Sequence, residues 1–141
     1  MANIILVIDS SVIIKWLSKD KEENLDQADR ILKNAQGGKL VLVVPELAKY
    51  EVGNVLLFSK KLSTEQAKVA LTQFFNLPIK FITQSEESVK DTYDVAFNLG
   101  ITYYDASFLS LAKQYNATLV TDNIKHQGRD SNIKVVSLKD Y

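Results

Sequence analysis

The chain has 141 residues, no cysteine and one histidine, and its 17 basic side chains balance its 17 acidic ones. This length suits one domain with a substantial core. The lack of cysteine excludes disulfides and cysteine-ligated zinc. The single histidine excludes a metal site built from several histidines. No apolar run approaches the roughly 20 residues of a membrane span, and the N-terminus lacks the features of a signal peptide. We therefore expect a single domain over residues 1–141, located in the reducing cytoplasm and without membrane contact.

Strands and helices alternate along the first half of the chain. Continuous β-branched runs at Ile4–Ile8 and Leu40–Val44 predict two strands buried on both faces. Helices are predicted over Ser11–Leu17 and from Leu25 to the glycine pair at 37–38. A further helix is predicted from about Glu46 to Lys60, with a wide apolar face. That face is expected to carry Leu47, Tyr50, Val52, Val55, Leu56 and Leu57.

The second half of the chain continues the same alternation. Ser63 and Gln66 form a capping-box signature for a helix that runs to about Asn76. Strand Ile79–Ile82 and two helices follow, the first ending at Gly100 and the second running from about Tyr104 to Tyr115. "ATLVT" and "IKVVSL" then predict two more strands. The pattern predicts an α/β fold in which helices cover both faces of a central parallel sheet of four to five strands.

Four acids fall at positions that such a sheet can bring together. Asp9 directly follows the first strand and Asp122 the fourth; Asp105 begins the "YYDASFLSLA" helix, and Glu51 lies within the helix after the second strand. Ligands of open α/β sheets bind outside the carboxyl ends of the strands, where we expect these side chains to lie. Each acid also has an ordinary structural explanation: Asp9 as a helix cap, Asp105 as part of a capping box with Thr102, and Asp122 as a turn residue.

Glu51 is the hardest of the four to explain structurally, because a carboxylate among apolar neighbours in mid-helix needs a partner if it is buried. Four clustered carboxylates repel one another unless protons or cations balance them. With no histidine or cysteine cluster available, the fitting partners are the hard cations Mg²⁺ and Mn²⁺. Such a site can activate water and stabilise the leaving oxygen of a phosphodiester. The other acids, Glu22 among them, are expected on solvated surfaces.

Four stretches of the chain resemble a PIN domain, and more narrowly the VapC-type ribonuclease toxins of prokaryotes. They are "VIDSSVIIKW", "PELAKYEVGNVL", "YYDASFLSLAKQYNATLVTDN" and "IKVVSLKDY". The resemblance implies a three-layer α/β/α fold, Mg²⁺- or Mn²⁺-dependent cleavage of single-stranded RNA, a homodimer, and a small antitoxin partner. It also implies that Asp9, Glu51 and Asp105 are the catalytic and metal-binding acids.

The fourth acid of the family has two candidates here. The family motif after the fourth strand is Thr, any residue, then Asp or Asn, which places Asn123 at the family position and Asp122 beside it. We expect Asp122 to be the charged contributor, near a second or transient ion, with Asn123 close behind it. Ser11, Asn54 and Thr121 are expected to orient the ligands or their waters.

Several other side chains have weaker claims on the site. Lys15, Lys125 and Arg129 are candidate phosphate contacts, although each is equally compatible with an ordinary surface charge. Trp16 is expected in the core or at a dimer interface rather than stacked on a base. The lone His126 is not expected to act as a general base.

Three alternatives remain open at this point. An aspartyl-phosphate phosphatase needs a second Asp where Ser11 stands, and a metal-dependent adhesion domain needs a Ser where Ile13 stands. The third alternative is a catalytically silent PIN-like interaction module, against which the three acids argue.

Overall fold

The computed structural model describes residues 3–124 and 132–141. Helices cover both faces of a five-stranded parallel sheet, as predicted from the alternation of strands and helices. In chain order the elements are β1 (Ile4–Ile8), α1 (Ser10–Leu17), α2 (Leu25–Gln36), β2 (Leu40–Pro45), α3 (Leu47–Asn54), a π-helical turn (Val55–Ser59), α4 (Thr64–Phe75), β3 (Ile79–Ile82), α5 (Glu86–Leu99), α6 (Tyr103–Gln114), β4 (Thr118–Thr121), β5 (Val135–Ser137) and a 3₁₀ turn (Leu138–Asp140).

The strand order β3-β2-β1-β4-β5 puts the first strand at the centre of the sheet. The chain moves outward from β1 to β2 and β3, with α1 to α4 on one face, and returns through α5 and α6 to pair β4 with β1. The direction of winding therefore reverses between β1 and β4. In open α/β sheets, the crevice at such a switch point is where ligands bind.

The core is continuous from the sheet into both helical layers. The C-terminal end of β1 is fully buried, as its β-branched sequence requires, with Val7 and Ile8 both 0% exposed. On one face α1 buries Val12 and Ile13, and on the other α6 buries Phe108. The ends of β1 and β4 are thereby held rigidly, which fixes the direction of the residues that follow them.

The helix after β2 departs from the prediction in two ways. It runs as a regular α-helix only to Asn54 and continues as a π-helical turn through Ser59, so the predicted single helix from Glu46 to Lys60 is divided. Its apolar face is also narrower than predicted, because Tyr50 and Leu57 are 77% and 60% exposed. Short-range periodicity cannot distinguish an exposed apolar side chain from a buried one.

The helix ends follow the predicted capping chemistry. The Ser63 and Gln66 side chains bond each other's backbone N–H groups in a capping box at the start of α4. The Ser85 side chain caps α5 by accepting the Ser88 N–H at 3.1 Å. Gly100 ends α5 with a φ of 65°, a left-handed conformation that glycine adopts without a steric penalty. Among the described residues, no helix has the length and apolarity needed to cross a bilayer.

Candidate active site

Three of the predicted acids line one cavity at the switch point. Asp9 follows β1, Glu51 projects from α3, and Asp105 from the first turn of α6. The cavity has a volume of about 180 Å³, several times the ~30 Å³ that one water occupies in the liquid. Its lining residues are Asp9, Ser10, Ser11, Glu51, Asp105, Phe108 and Asn123. No basic side chain of residues 3–124 and 132–141 is among them, so within the described part of the chain the carboxylates face one another without a cation.

Asp9 caps α1 and is held at both carboxylate oxygens. Its Oδ1 accepts the backbone N–H of Ser11 at 2.9 Å and also the Ser11 hydroxyl. Its Oδ2 accepts the hydroxyl of Thr121, a fully buried residue at the end of β4. The Asp9 N–H in turn donates to the Val120 carbonyl at 3.2 Å. The capping explanation for Asp9 is therefore correct, and the same bonds fix its carboxylate at the edge of the cavity.

Glu51 and Asp105 differ in how they are held. The Ser10 hydroxyl donates to Glu51 Oε1 at 2.8 Å and orients that carboxylate. Thr102 caps α6 by accepting the Asp105 N–H at 3.0 Å. Within residues 3–124 and 132–141, the Asp105 carboxylate has no hydrogen bond or ion pair of its own. A reciprocal capping box is therefore not formed, and this carboxylate remains available to a ligand.

The surroundings of Asp9 and Glu51 disfavour the charged states of these two acids. Burial raises the pKa of Asp9, although the hydrogen bonds from Ser11 and Thr121 act against it, and the charge of Asp105 raises it further. Burial is also the main cause of a raised pKa at Glu51, to which the charges of Asp9 and Asp105 add. Clustered carboxylates with raised pKa values are typical of functional sites, because a structural role would not require this repulsion.

A divalent cation fits this donor set chemically. Three carboxylates, two hydroxyls and the residue Asn123 surround a space with room for an ion and several waters. In the described ranges, however, no group of three His, Cys, Asp or Glu side chains is arranged as a formed metal centre.

Asp122 and Asn123 lie on different sides of the turn after β4. Asn123 lines the acid cavity, and its N–H donates to Thr121 Oγ1 at 3.0 Å. The Asp122 carboxylate instead meets the Lys15 ammonium at 3.0 Å, and its Oδ1 accepts a bond from Asn24 at 3.3 Å. The structure thus brings Asn123 to the three acids and separates the Asp122 side chain from them.

Lys15, which the sequence suggested as a phosphate contact, is 1% exposed and paired with Glu22 and Asp122. It lies on a buried face of α1, where it cannot meet a substrate without displacing these acids. Glu22, expected on a solvated surface, has only 18% of its side chain exposed. The phosphate-contact prediction for Lys15 and the surface prediction for Glu22 are both wrong for the same reason, since each residue satisfies the charge of the other.

The remaining candidates lie elsewhere. Asn54 is exposed and does not line the cavity. Trp16 packs against the core and donates its indole N–H to the Ala28 carbonyl at 2.8 Å, as expected of a structural side chain. Lys125, His126 and Arg129 lie outside the described residues. Two residues that line the cavity, Ser10 and Phe108, were not singled out from the sequence; the Ser-Ser pair directly after Asp9 was the available signal for Ser10.

Comparison with known proteins identifies the family. The model of the PIN domain matches residues 6–130. Ribonuclease VapC3 of Pyrobaculum aerophilum is 31% identical over 120 residues, which cover 82% of this chain and 87% of that protein.

Solved structures show the same fold at lower identity. The crystal structure of VapBC2 from Rickettsia felis bound to a DNA fragment from their promoter matches with a TM-score of 0.74 and 20% identity, over 95% of this chain and 98% of that chain. DNA-bound VapBC from Salmonella typhimurium matches with a TM-score of 0.73 and 16% identity, over 96% and 98%. With a family match over most of its length and three acids at the expected sheet edge, this chain belongs to the PIN domain family.

Proposed function

We infer that this chain is a divalent-metal-dependent endoribonuclease that cleaves single-stranded RNA, and that it is the toxin of a toxin–antitoxin pair. The observation that carries this is the cavity lined by Asp9, Glu51 and Asp105, to which the described residues contribute no basic side chain. The kinship with Ribonuclease VapC3 supports RNA as the substrate. A purely structural cluster of this kind would lower the stability of the fold, because neighbouring carboxylates repel one another when they are charged.

Asp9, Glu51 and Asp105 would hold the Mg²⁺ or Mn²⁺ ion. When bound, such an ion supplies a water acidified for attack on phosphorus and a positive charge near the leaving oxygen. The hydroxyls of Ser11 and Thr121 hold Asp9 in place, and Ser10 does the same for Glu51. These contacts already restrict the orientations of the Asp9 and Glu51 side chains, so these two acids would lose less conformational freedom when they bind the ion.

Asn123 takes the fourth position in this proposal, and Asp122 does not. An amide there offers a neutral oxygen to a ligand water and an N–H donor to a phosphate oxygen, but no charge to hold a second ion. The negative charge of Asp122 is already matched by Lys15 at 3.0 Å. We therefore assign one main ion to the cavity.

Replacing Asn123 by alanine is expected to lower the cleavage rate roughly tenfold, the scale of effect seen when a supporting group of a metal site is removed. The melting temperature should change little, because the side chain is exposed at the cavity mouth. Steady-state cleavage of a fluorescent RNA measures this, with Asn98→Ala on α5 as a matched exposed amide away from the cavity. Unchanged cleavage by Asn123→Ala would return the fourth position to Asp122.

The partners follow from the same kinship. Solved structures with this fold include VapBC assemblies, and one is described as a toxin-antitoxin complex from Klebsiella pneumoniae. A small antitoxin is accordingly the partner proposed for this chain. A homodimer and a cytoplasmic location belong to the same proposal.

The test is RNA cleavage by the purified chain, freed of any co-purifying partner, with Mg²⁺, with Mn²⁺ and with EDTA. We expect cleavage with either ion, its loss in EDTA, and its recovery when the ion is restored in excess. Cleavage that persists in EDTA would contradict metal dependence. Metal binding without cleavage of any RNA would favour a silent interaction module or a metal-dependent binding domain instead.

A further inference from the structure

Lys15 is a buried charge next to the active site that the proposed mechanism does not use. It lies on α1 four residues after Ser11, so both side chains project from the same face of that helix. The side chain is 1% exposed, among the apolar residues Val12 and Ile14. A lysine that deeply buried needs full pairing, because an isolated buried ammonium is strongly disfavoured.

The pairing is supplied by a network of two lysines and two acids. The Lys15 ammonium lies 2.9 Å from Glu22 Oε1 and 3.0 Å from Asp122 Oδ2. Lys60, which follows the π-helical turn, lies 2.7 Å from Glu22 Oε2. Burial opposes the charge of Lys15, yet its bonds to Glu22 and Asp122 outweigh that effect and raise its pKa. The network thus joins two basic and two acidic side chains, and its contacts favour the charged form of Lys15.

Only one member of the network reaches the active site, and it does so through the backbone. Asp122 lies between Thr121, whose hydroxyl donates to Asp9, and Asn123, which lines the acid cavity. The Asp122 N–H donates to Ser11 Oγ at 3.2 Å, and the Ser11 hydroxyl donates to Asp9. Two neighbouring contacts therefore attach α1 to this turn: Ser11 at the Asp122 backbone, and Lys15 at its carboxylate.

We propose that Lys15 is a positioning residue that fixes the turn Thr121–Asn123 by holding the Asp122 carboxylate. Thr121 can then donate to Asp9, and Asn123 faces the cavity. A network of buried ion pairs is rarely worth more to stability than apolar side chains of the same volume, whereas it does specify one arrangement of the groups that it joins. The catalytic part of this inference rests on the proposed function, but the arrangement of the turn does not.

The first test is made without metal. Lys15→Met keeps the aliphatic stem and removes the ammonium. In ¹H–¹⁵N spectra of the metal-free protein, the amides of Asp9, Asp122 and Asn123 should shift, while those of α5 stay in place. Lys60→Met is the matched control, since Lys60 contacts Glu22 and not Asp122. Amides of the turn that are unmoved in Lys15→Met, or moved equally in Lys60→Met, would overturn the proposal.

The second test is a double-mutant cycle read out as Mn²⁺ affinity by electron paramagnetic resonance. Lys15→Met and Asp122→Asn should each weaken Mn²⁺ binding roughly tenfold. If both act through one contact, the double variant should also lose roughly tenfold and not the product of the two losses. Its melting temperature should recover relative to Lys15→Met, since no unpaired Asp122 carboxylate is left.

The outcomes separate the two inferences. Wild-type protein that binds no Mn²⁺ contradicts the proposed function, and the spectra then decide the role of Lys15 alone. Affinity within twofold of wild type in either single variant, or multiplied losses in the double variant, overturns the positioning role. If Lys15→Met does not fold, Asp122→Asn carries both readouts, and an unmoved turn with unchanged affinity overturns the positioning role in the same way.

Discussion

Exchange of Asp9 for asparagine is expected to slow RNA cleavage by roughly a hundredfold or more and to leave the chain folded. Asparagine keeps an oxygen that can accept the Ser11 N–H, so the start of α1 retains its cap. What is lost is the negative charge that faces the cavity with Asp105 and Glu51. A hundredfold loss corresponds to about 2.7 kcal/mol of transition-state stabilisation, which is modest for a direct ligand of a catalytic ion.

The measurement is single-turnover cleavage of one RNA at saturating Mn²⁺, with circular dichroism to confirm the fold. Asp94→Asn is the matched control, because Asp94 is an exposed aspartate on α5 and the substitution is the same. We expect the control to cleave like wild type. Full activity in Asp9→Asn would mean that Asp9 only caps the helix, and equal losses in both variants would point to a general effect of charge.

Exchange of Glu51 for glutamine is expected to stabilise the metal-free protein at neutral to alkaline pH. Because burial and the neighbouring Asp9 and Asp105 raise the pKa of Glu51, the folded state binds its proton more tightly than the unfolded state does. Stability therefore falls as pH rises from the ordinary glutamate value through the raised one, and the penalty is complete above it. Glutamine carries no such penalty and can still accept the Ser10 hydroxyl. We therefore expect the variant to melt at a higher temperature than wild type in this pH range.

Saturating Mn²⁺ should reverse this order, since the ion stabilises the folded wild type by mass action and binds the variant less well. Melting curves at about pH 5 and pH 8, each with EDTA or Mn²⁺, measure both effects. Glu23→Gln, an exposed glutamate in the loop before α2, controls for the loss of a charge. If Glu51→Gln is less stable than wild type in EDTA at both pH values, Glu51 has a structural role. Repulsion among the carboxylates of the cavity would then not destabilise the metal-free protein.

The sheet and the positions of Asp9, Glu51 and Asp105 were predictable because they depend on strong local signals. Runs such as Leu40–Val44 have few alternatives to a buried strand, and the carboxyl ends of parallel strands meet at one edge. Glu51 was identified from its apolar neighbours, and its partner Ser10 lies 41 residues away in the chain. Such a contact follows from the packing of α1 beside α3, which sequence periodicity does not specify.

The division of roles between Asp122 and Asn123 was not predictable from the sequence. Thr121, Asp122 and Asn123 follow one another at the end of β4, yet their side chains face different surroundings. Which of them reaches the acid cavity depends on the partners that lie on each side of the turn. The partner of Asp122 is Lys15, which the sequence suggested as a phosphate contact or an ordinary surface charge and which is buried in α1. Its position within "VIIKWL" was a usable signal, since a lysine surrounded by apolar residues in a core helix has few routes to solvent.

Two measurements of Mn²⁺ dependence on the same protein test the central claim most directly. The first is the Mn²⁺ concentration that gives half-maximal RNA cleavage. The second is the Mn²⁺ concentration at which the site is half occupied, measured by electron paramagnetic resonance. In wild type the two midpoints should coincide. In Asp105→Asn, which removes the one carboxylate of the cavity without a hydrogen-bond partner among the described residues, both should rise together by roughly tenfold or more. Cleavage that is unaffected by EDTA, or midpoints that Asp105→Asn leaves unchanged, would contradict a metal site built by these three acids.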